Sequence, residues 1–185
     1  MNRNVIDKYK DWSTEDIRLD IQRQTFPYAI LMENWGGDFN QSCLIRSANA
    51  FGAEKVYYLK RGKGYDRRGT VGTHHYTDVQ HLSTLGQVRS LKENYRLIGI
   101  ENGIPEAKEI NNYDWLALRK SGKAPLFLFG EEGCGISREL LDICDDYIYI
   151  KQWGSVRSMN VASCASIVMH EAVNKLFTID EESIH

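Results

Sequence analysis

The sequence has no long hydrophobic segment. Its longest apolar runs, such as residues 125–130 (PLFLFG), are far shorter than the ~20 residues that a membrane-spanning helix needs. The first residues, MNRNVIDKYK, contain no apolar signal segment. We therefore expect a cytoplasmic protein. With 185 residues, 42% of them hydrophobic, the chain has the length and composition of one globular domain with one core.

Paired cysteine motifs are also missing. The cysteines form no C-x-x-C pair, and their spacing matches neither a zinc site nor a disulfide framework. We therefore expect reduced, mostly buried thiols and no metal site. The four cysteines are Cys43, Cys134, Cys144 and Cys164.

An excess of positive charge is absent as well. The net charge of -2 and the pI of about 6.2 exclude a uniformly basic nucleic-acid-binding surface. A local basic run nevertheless occurs within residues 60–68, opposed only by Asp66. It would either neutralise RNA phosphates or form a solvated face. Its members are Lys60, Arg61, Lys63, Arg67 and Arg68.

The loop that follows the basic run, residues 69–79 (GTVGTHHYTDV), carries three consecutive rings. His74, His75 and Tyr76 are side chains that would stack on unpaired bases if the loop receives RNA. The alternative is an ordinary solvated loop.

Short apolar runs alternate with segments of helical spacing. This alternation predicts an α/β domain around a mostly parallel sheet, without an internal repeat or a low-complexity linker. The expected strands are residues 26–33, 55–60, 95–101, 125–130 and 146–150. The expected helices are residues 41–51, 84–94, 112–120, 137–144 and a last helix that ends near residue 177.

The first residues stand apart from this pattern. Ser13 and Asp16 predict a capping-box start for a charged amphipathic helix over residues 13–24. We therefore divide the chain into a helical extension, residues 1–25, and one main domain, residues 26–185. The extension would cover the sheet or a partner subunit, or contact substrate.

Glycines and polar residues concentrate at three junctions between a strand and a helix, where open parallel sheets bind ligands. In the first junction Gly36 and Gly37 are followed by Asn40, a helix cap, and by Arg46. Apolar neighbours in the sequence predict that Arg46 is partly buried and holds an anion or a carboxylate.

The second junction, residues 126–137 (LFLFGEEGCGIS), ends a buried strand in three glycines and two glutamates. It is neither the G-x-G-x-x-G of dinucleotide folds nor a phosphate loop, which disfavours a nucleotide-binding oxidoreductase. In the third junction, residues 147–166, polar side chains at 157–160 crowd the expected first turn of the last helix. Together the two loops predict a glycine-lined cleft for a small polar cofactor.

Three ordered motifs in this chain resemble those of the SpoU/TrmH class of RNA ribose 2'-O-methyltransferases, in the SPOUT superfamily. They are N-x-x-x-x-x-R with A-x-x-F-G (residues 40–52), G-x-E-G-x-G-[IL]-S (residues 130–137) and I-x-x-x-G-x-x-x-S-[LM]-N-V (residues 150–161). The resemblance covers about residues 26–177.

The resemblance implies an α/β sheet with a C-terminal deep trefoil knot, bound S-adenosyl-L-methionine, an RNA substrate and a homodimer. Residues that match the family's backbone contacts to the cofactor are Gly130, Ile150 and Met159. Residues that match its polar active-site set are Asn40, Arg46, Glu132, Ser158 and Asn160.

The chain departs from the family pattern at three positions, of which Lys151 is the most interesting. Lys151 stands where proline is usual, and it would either bring a positive charge near RNA phosphate or point to water. Ser42 replaces a glycine and Met159 a leucine, and neither change of volume threatens the resemblance.

For the reaction itself, Arg46 is a poor base, because the pKa of a guanidinium lies above ~12. We expect Arg46 to hold a phosphate and stabilise the developing alkoxide. Asn40 and Ser158 would orient the ribose or Arg46, while Asn160 anchors the loop and Glu132 holds the network. We expect a tRNA substrate, with ribosomal RNA or a catalytically silent knotted RNA-binding protein as alternatives.

Overall fold

The structure is a computed structural model that describes residues 4–33, 39–59 and 67–177. The expectations for Gly36, Gly37 and the basic residues at 60–66 lie outside these ranges. Within them, no helix is long and apolar enough to cross a membrane.

The described residues form one seven-stranded sheet in which every neighbouring pair of strands is parallel. This confirms the predicted α/β class. The strands are β1 (Phe26–Glu33), β2 (Ala53–Leu59), β3 (Val79–Leu82), β4 (Tyr95–Ile100), β5 (Lys108–Glu109), β6 (Ala124–Phe129) and β7 (Asp146–Tyr149). Their order across the sheet is β3-β2-β1-β6-β4-β7-β5.

Helices cover both faces of the sheet. The central strands are buried on both sides, which is why they read as continuous apolar runs rather than as alternating ones. The helices are α1 (Thr14–Gln22), α2 (Phe39–Ala50), α3 (Leu85–Ser90), α4 (Trp115–Lys120), α5 (Arg138–Leu141) and α6 (Val161–Leu176).

Alternate residues of each central strand enter different cores. In β1, Tyr28 and Ile30 pack into the core that α2, α4 and α6 complete, whereas Ala29 and Leu31 pack into the core beneath α3 and α5. This alternation is the period of two that pleated strands impose on side chains. It leaves the strand ends as the places where polar groups gather.

The two edge strands are the elements that the sequence did not predict. β3 has the sequence VQHL, with Gln80 and His81 exposed, and β5 has only two residues. Edge strands bury less than central strands, so they lack the dense apolar run that marks a strand in a sequence.

The N-terminal extension packs on the loop that follows the basic run. Ser13 caps α1 by accepting the Asp16 N–H at 3.1 Å. Tyr76 is buried in a cluster with Tyr9 and Ile17. Tyr76 is therefore unavailable to stack on RNA bases, and the expectation for this side chain was wrong.

The last helix begins later than its polar residues suggest. α6 starts at Val161, and Asn160 is its N-cap, so residues 157–159 precede the helix instead of crowding its first turn. The buried residues of α6 include Ala165, Val168 and Ala172, whose spacings of three and four place them on one face of the helix.

Candidate active site

The ends of four strands meet at the carboxyl edge of the sheet. Met32 and Ile100 both lie beside Phe129 in the parallel register, and Ile100 also lies beside Ile148. The carboxyl ends of β1, β4, β6 and β7 are consequently neighbours, although they are far apart in the chain. This is the edge at which parallel sheets bind ligands.

The loop after β6 folds back tightly on itself. Glu131 and Gly135 exchange two backbone hydrogen bonds of 3.1 and 2.9 Å, and Gly133 and Gly135 have φ values of 102° and 71°. A Cβ atom on Gly130 would overlap the Gly135 carbonyl carbon and the Ile136 nitrogen. The glycines of this motif are therefore required by a close approach of the backbone and by left-handed turns.

Two carboxylates fix the far end of the loop. Glu101, directly after β4, accepts the Ile136 N–H at 2.9 Å. Glu33, the buried last residue of β1, accepts the Ser137 N–H at 2.7 Å. Each bond to a carboxylate is stronger than a neutral one, so the loop is tied to two different strands.

The polar cluster, which we define as Asn40, Glu132 and Asn160, unites three of the predicted active-site residues. The Asn40 amide donates to Glu132, and the Asn160 amide donates to Asn40 Oδ1 at 2.8 Å and to Glu132 Oε1 at 3.3 Å. The residues are 92 and 28 positions apart from Glu132 along the chain.

The direction of these hydrogen bonds is fixed by chemistry. Asn160 Oδ1 accepts the N–H groups of Ala162 and Ser163 at 3.0 and 3.2 Å, as the cap of α6. The Asn160 amide nitrogen must then face the other two residues, and the Glu132 carboxylate can only accept. A chain of donors thus runs from the start of α6 to Glu132.

A cavity of about 300 Å³ lies beside the polar cluster. Its walls come from the end of β4, the glycine loop and the segment that joins β7 to α6. Its size is at the lower limit of ordinary small-molecule sites. The lining includes Glu101, Gly130, Glu132, Cys134, Ile150, Gln152, Arg157, Ser158, Met159 and Cys164.

The predicted cofactor contacts all lie on this cavity. Gly130, Ile150 and Met159 contribute to its walls, and so do Ser158 and Glu132. Asn40 borders the adjoining small pocket, which shares Gly130 and Glu132 with the cavity.

Arg46 lies apart from this group. It is exposed on α2, and no hydrogen bond or ion pair joins it to another side chain among the described residues. The expectation of a partly buried guanidinium was wrong. Leu44, Ile45 and Ala48 form the buried stripe of α2, and 100° per residue turns Arg46 away from that stripe.

The cavity has features that fit an S-adenosyl-L-methionine molecule. Glycines at its wall expose backbone groups, and Ile100, Phe129 and Ile150 offer apolar surface. The Gln152 side-chain oxygen is buried at the wall without a hydrogen-bond donor in the described part of the chain. A ligand that combines donors with an aromatic ring suits this mixture.

Glu101 and Gln152 are site residues that the sequence reading missed. Glu101 lies at the end of a predicted strand, where the junction rule already placed polar groups, so the signal was present. Gln152 had no signal of its own, because its burial depends on how the loop folds.

Cys164, on the cavity wall, is not a nucleophile. Burial, helped by the charge of Glu101, raises the pKa of Cys164 to about 12, so this thiol stays protonated. Cys134 is exposed on the glycine loop, and all four cysteines are free. Within the described ranges, no group of three His, Cys, Asp or Glu residues could hold a metal ion.

The described part of the expected RNA-receiving loop contains exposed cations and a histidine held by a neighbouring side chain. Arg67 and Arg68 are exposed, and His74 Nδ1 lies 2.6 Å from Thr70 Oγ1. Burial, together with the neighbouring charges of His75 and Arg67, lowers the pKa of His74. His74 is therefore a neutral ring near pH 7, while His75 is exposed beside it with ring centroids 4.0 Å apart.

The sequence profile of the SpoU rRNA Methylase family matches residues 27–170. A Staphylococcus epidermidis protein assigned to the TrmH family of tRNA/rRNA methyltransferases is 25% identical, covering 94% of this chain and 70% of that protein. A Staphylococcus saprophyticus protein of the same assignment is 27% identical and covers 79% of this chain. This chain spans only 58% of the length of that second relative.

Solved structures share the fold. The A. aeolicus TrmH/SpoU tRNA modifying enzyme superposes with a TM-score of 0.73 at 18% identity, over 91% of this chain and 89% of that one. The SpoU methyltransferase AviRb from Streptomyces viridochromogenes, crystallised in complex with AdoMet, gives a TM-score of 0.68 at 22% identity. That match covers 83% of this chain and 60% of AviRb.

Proposed function

This chain belongs to the SpoU rRNA methylase family, and from that premise we propose that it is an S-adenosyl-L-methionine-dependent RNA methyltransferase acting on a ribose 2'-hydroxyl. We propose tRNA as the favoured substrate, rRNA as the alternative, and a cytoplasmic site of action. The observation that carries the proposal is the polar cluster on the wall of a glycine-lined cavity.

The cofactor would be held at the carboxyl edge of the sheet. Gly130, Ile150 and Met159 would offer backbone groups to it, with Gln152 as an additional acceptor. When bound, S-adenosyl-L-methionine supplies an electrophilic methyl group that a ribose oxygen receives as it loses its proton.

The protein's task is then to align the hydroxyl and to stabilise the charge that develops on its oxygen. Asn40 and Ser158 would orient the ribose at the mouth of the cavity. Glu132 would keep Asn40 in place, because its two oxygens accept both amides of the cluster. Asn160 would couple that arrangement to the start of α6.

Arg46 would serve a different purpose. A guanidinium that has no partner among the described residues is available to a phosphate, and it would stabilise the alkoxide through its positive charge. The proton would pass to that phosphate or to water. A homodimer would let either subunit supply Arg46 to a given site, and a C-terminal trefoil knot would hold the cavity's loops together.

The proposal is tested by incubating the protein with labelled S-adenosyl-L-methionine and total RNA, and then mapping ribose methylation. We expect label at a 2'-oxygen of a tRNA. Label on a base would contradict the ribose assignment. Cofactor binding without transfer to any RNA would indicate a silent RNA-binding protein instead.

A further inference from the structure

Trp153 is the most exposed large hydrophobic side chain that the structure describes, with 80% of its surface accessible to solvent. It lies in the segment between β7 and α6 whose neighbours Gln152 and Arg157 line the cavity. Exposing an indole to water is unfavourable, and neither the fold nor the proposed chemistry uses this side chain.

Two cations lie in the same segment as this tryptophan. Lys151 Nζ lies 5.7 Å from the centroid of the Trp153 ring, and Arg157 is exposed on the cavity wall. Residues 147–170 contain no aspartate or glutamate. Neither cation has an ion-pair partner within the part of the chain that the structure describes, whereas Lys8, Lys55 and Lys92 do.

We propose that Lys151, Trp153 and Arg157 form a docking rim for an unpaired RNA nucleotide next to the one that is methylated. The Lys151 ammonium lies near the indole, and most of the ring surface is accessible to solvent, so a base could stack on it. Lys151 and Arg157 would neutralise the flanking phosphates. This inference rests on the proposed RNA substrate, and it gives Lys151 a role at the position where the family resemblance leads one to expect proline.

An unpaired base fits this rim better than a second copy of the chain. A symmetric self-contact through Trp153 would bring Lys151 and Arg157 of both copies together with no carboxylate in the segment to compensate. A base with its phosphates supplies a π-face for the ring and negative charge for both cations. Duplex RNA supplies phosphates but no free base, so the rim should prefer single strands.

The test is an anisotropy titration with a labelled single-stranded RNA of roughly eight nucleotides and with the same sequence in a duplex. Trp153→Ala should weaken single-strand binding about tenfold and leave duplex binding unchanged, and Trp153→Phe should lose less. Trp12→Phe is the matched control, because Trp12 is a partly exposed tryptophan with Lys8 Nζ 5.4 Å from its centroid, on the N-terminal extension. It should bind like the wild type.

The cations have a separate readout. Lys151→Ala and Arg157→Ala should each lower the salt slope of single-strand binding by about 0.7, the value for one lost phosphate contact. A slope that stays unchanged in both variants would overturn the rim. The same measurement on Lys175→Ala, a helix lysine near Glu171, should show no change.

Other results would overturn the inference in recognisable ways. Equal single-strand binding by wild type and Trp153→Ala, or equal losses on duplex, would remove the stacking role. A shift to monomer in sedimentation would assign Trp153 to a second copy, and loss of S-adenosylhomocysteine binding in calorimetry would assign it to the cofactor cavity. Failure of the proposed function would give a different result. The wild type would neither bind S-adenosylhomocysteine nor transfer methyl groups, and the Trp153 variants would not alter that result.

Discussion

The two ends of the parallel sheet differ in the partners of their carboxylates. At the amino ends of the strands, Arg96 holds Asp146 through two hydrogen bonds of 2.5 and 3.0 Å, and Tyr113 donates to the same carboxylate at 2.8 Å. Tyr95 donates to Glu54 at 2.5 Å. The charged groups at this end of the sheet therefore form hydrogen bonds with one another rather than with a ligand.

At the carboxyl ends, carboxylates are satisfied by amides rather than by cations. Glu33 and Glu101 accept backbone N–H groups, and Glu132 accepts two side-chain amides. The cations of this region, Lys151 and Arg157, have no carboxylate partner among the described residues.

This contrast separates residues that build the protein from residues that await a ligand. Where positive and negative side chains pair, their electrostatic attraction stabilises the fold. Where carboxylates are bound by neutral donors, the neighbouring cations keep their charge for an anionic substrate. Such a surface suits the proposed binding of RNA beside the methyl donor at the carboxyl edge.

The largest effect should come from Arg46→Ala. Removing the charge proposed to stabilise the alkoxide should lower methyl transfer by ~100- to 1,000-fold, with S-adenosylhomocysteine affinity near normal. Transfer is followed with labelled cofactor, and affinity by calorimetry. Arg89→Ala, an exposed arginine on α3, is the control and should leave both unchanged. A large loss of cofactor affinity in the Arg46 variant would place Arg46 in the cofactor site instead.

Glu132→Gln should have the next largest effect. The new amide can accept one of the two donors but turns its own N–H groups toward the other, so transfer should fall about tenfold. Glu131→Gln makes the same charge change one residue earlier, outside the polar cluster. If the two variants lost activity equally, the loss would reflect the charge of the loop rather than the hydrogen bonds to Asn40 and Asn160.

Asn160 combines two tasks that substitutions can separate. Asn160→Ala removes the cap of α6 and the bonds to Asn40 and Glu132, which should cost about 1 kcal/mol of stability and lower Tm by about 2–4 °C. Asn160→Ser keeps a capping oxygen and should restore most of the Tm while transfer stays reduced several-fold. Full activity in the serine variant would show that only the cap matters.

The smallest effect on function should come from Asp146→Asn at the opposite end of the sheet. Burial raises the pKa of Asp146, but the hydrogen bonds from Arg96 and Tyr113 outweigh it and hold the pKa below the ordinary value of 3.8. The ionised carboxylate therefore stabilises the fold above about pH 4, and this contribution is lost as the pH falls through the depressed pKa.

Asp146→Asn should accordingly lower Tm at pH 7 by about 2–4 °C and flatten the acid limb of stability against pH, without changing methyl transfer. Thermal melts from pH 2 to 7 check the first part. A change in cofactor affinity would show that the two ends of the sheet are coupled, and would weaken the contrast between them.

Much of the fold could be predicted from the sequence, because central parallel strands have dense apolar runs in their sequence. The run FPYAILME became β1 over the predicted residues 26–33, whereas the edge strand VQHL carries two exposed polar residues and gives no such signal. Helix ends are marked less clearly in the sequence. The polar residues before α6 line the cavity, and only Asn160 caps the helix.

The candidate site was predictable to the extent that strand ends and motifs reveal it. Asn40, Glu132 and Asn160 came from motif positions, and the structure places them in hydrogen-bond contact. The exposure of Arg46 was missed because neighbours in sequence are not neighbours in angle on a helix. The Gln152 oxygen has no donor within the described ranges, and Trp153 is exposed. Both features depend on loop conformation, which no local pattern encodes.

The two carboxylates that grip the glycine loop also determine how a ligand meets the site. Glu33 and Glu101 hold the amide protons of Ser137 and Ile136, so these two protons should exchange with solvent slowly even though the loop lies at the surface. A loop anchored in this way behaves as an extension of the sheet rather than as a lid. The cofactor would then enter a cavity that is already shaped, and little of its binding energy would be consumed in ordering the chain.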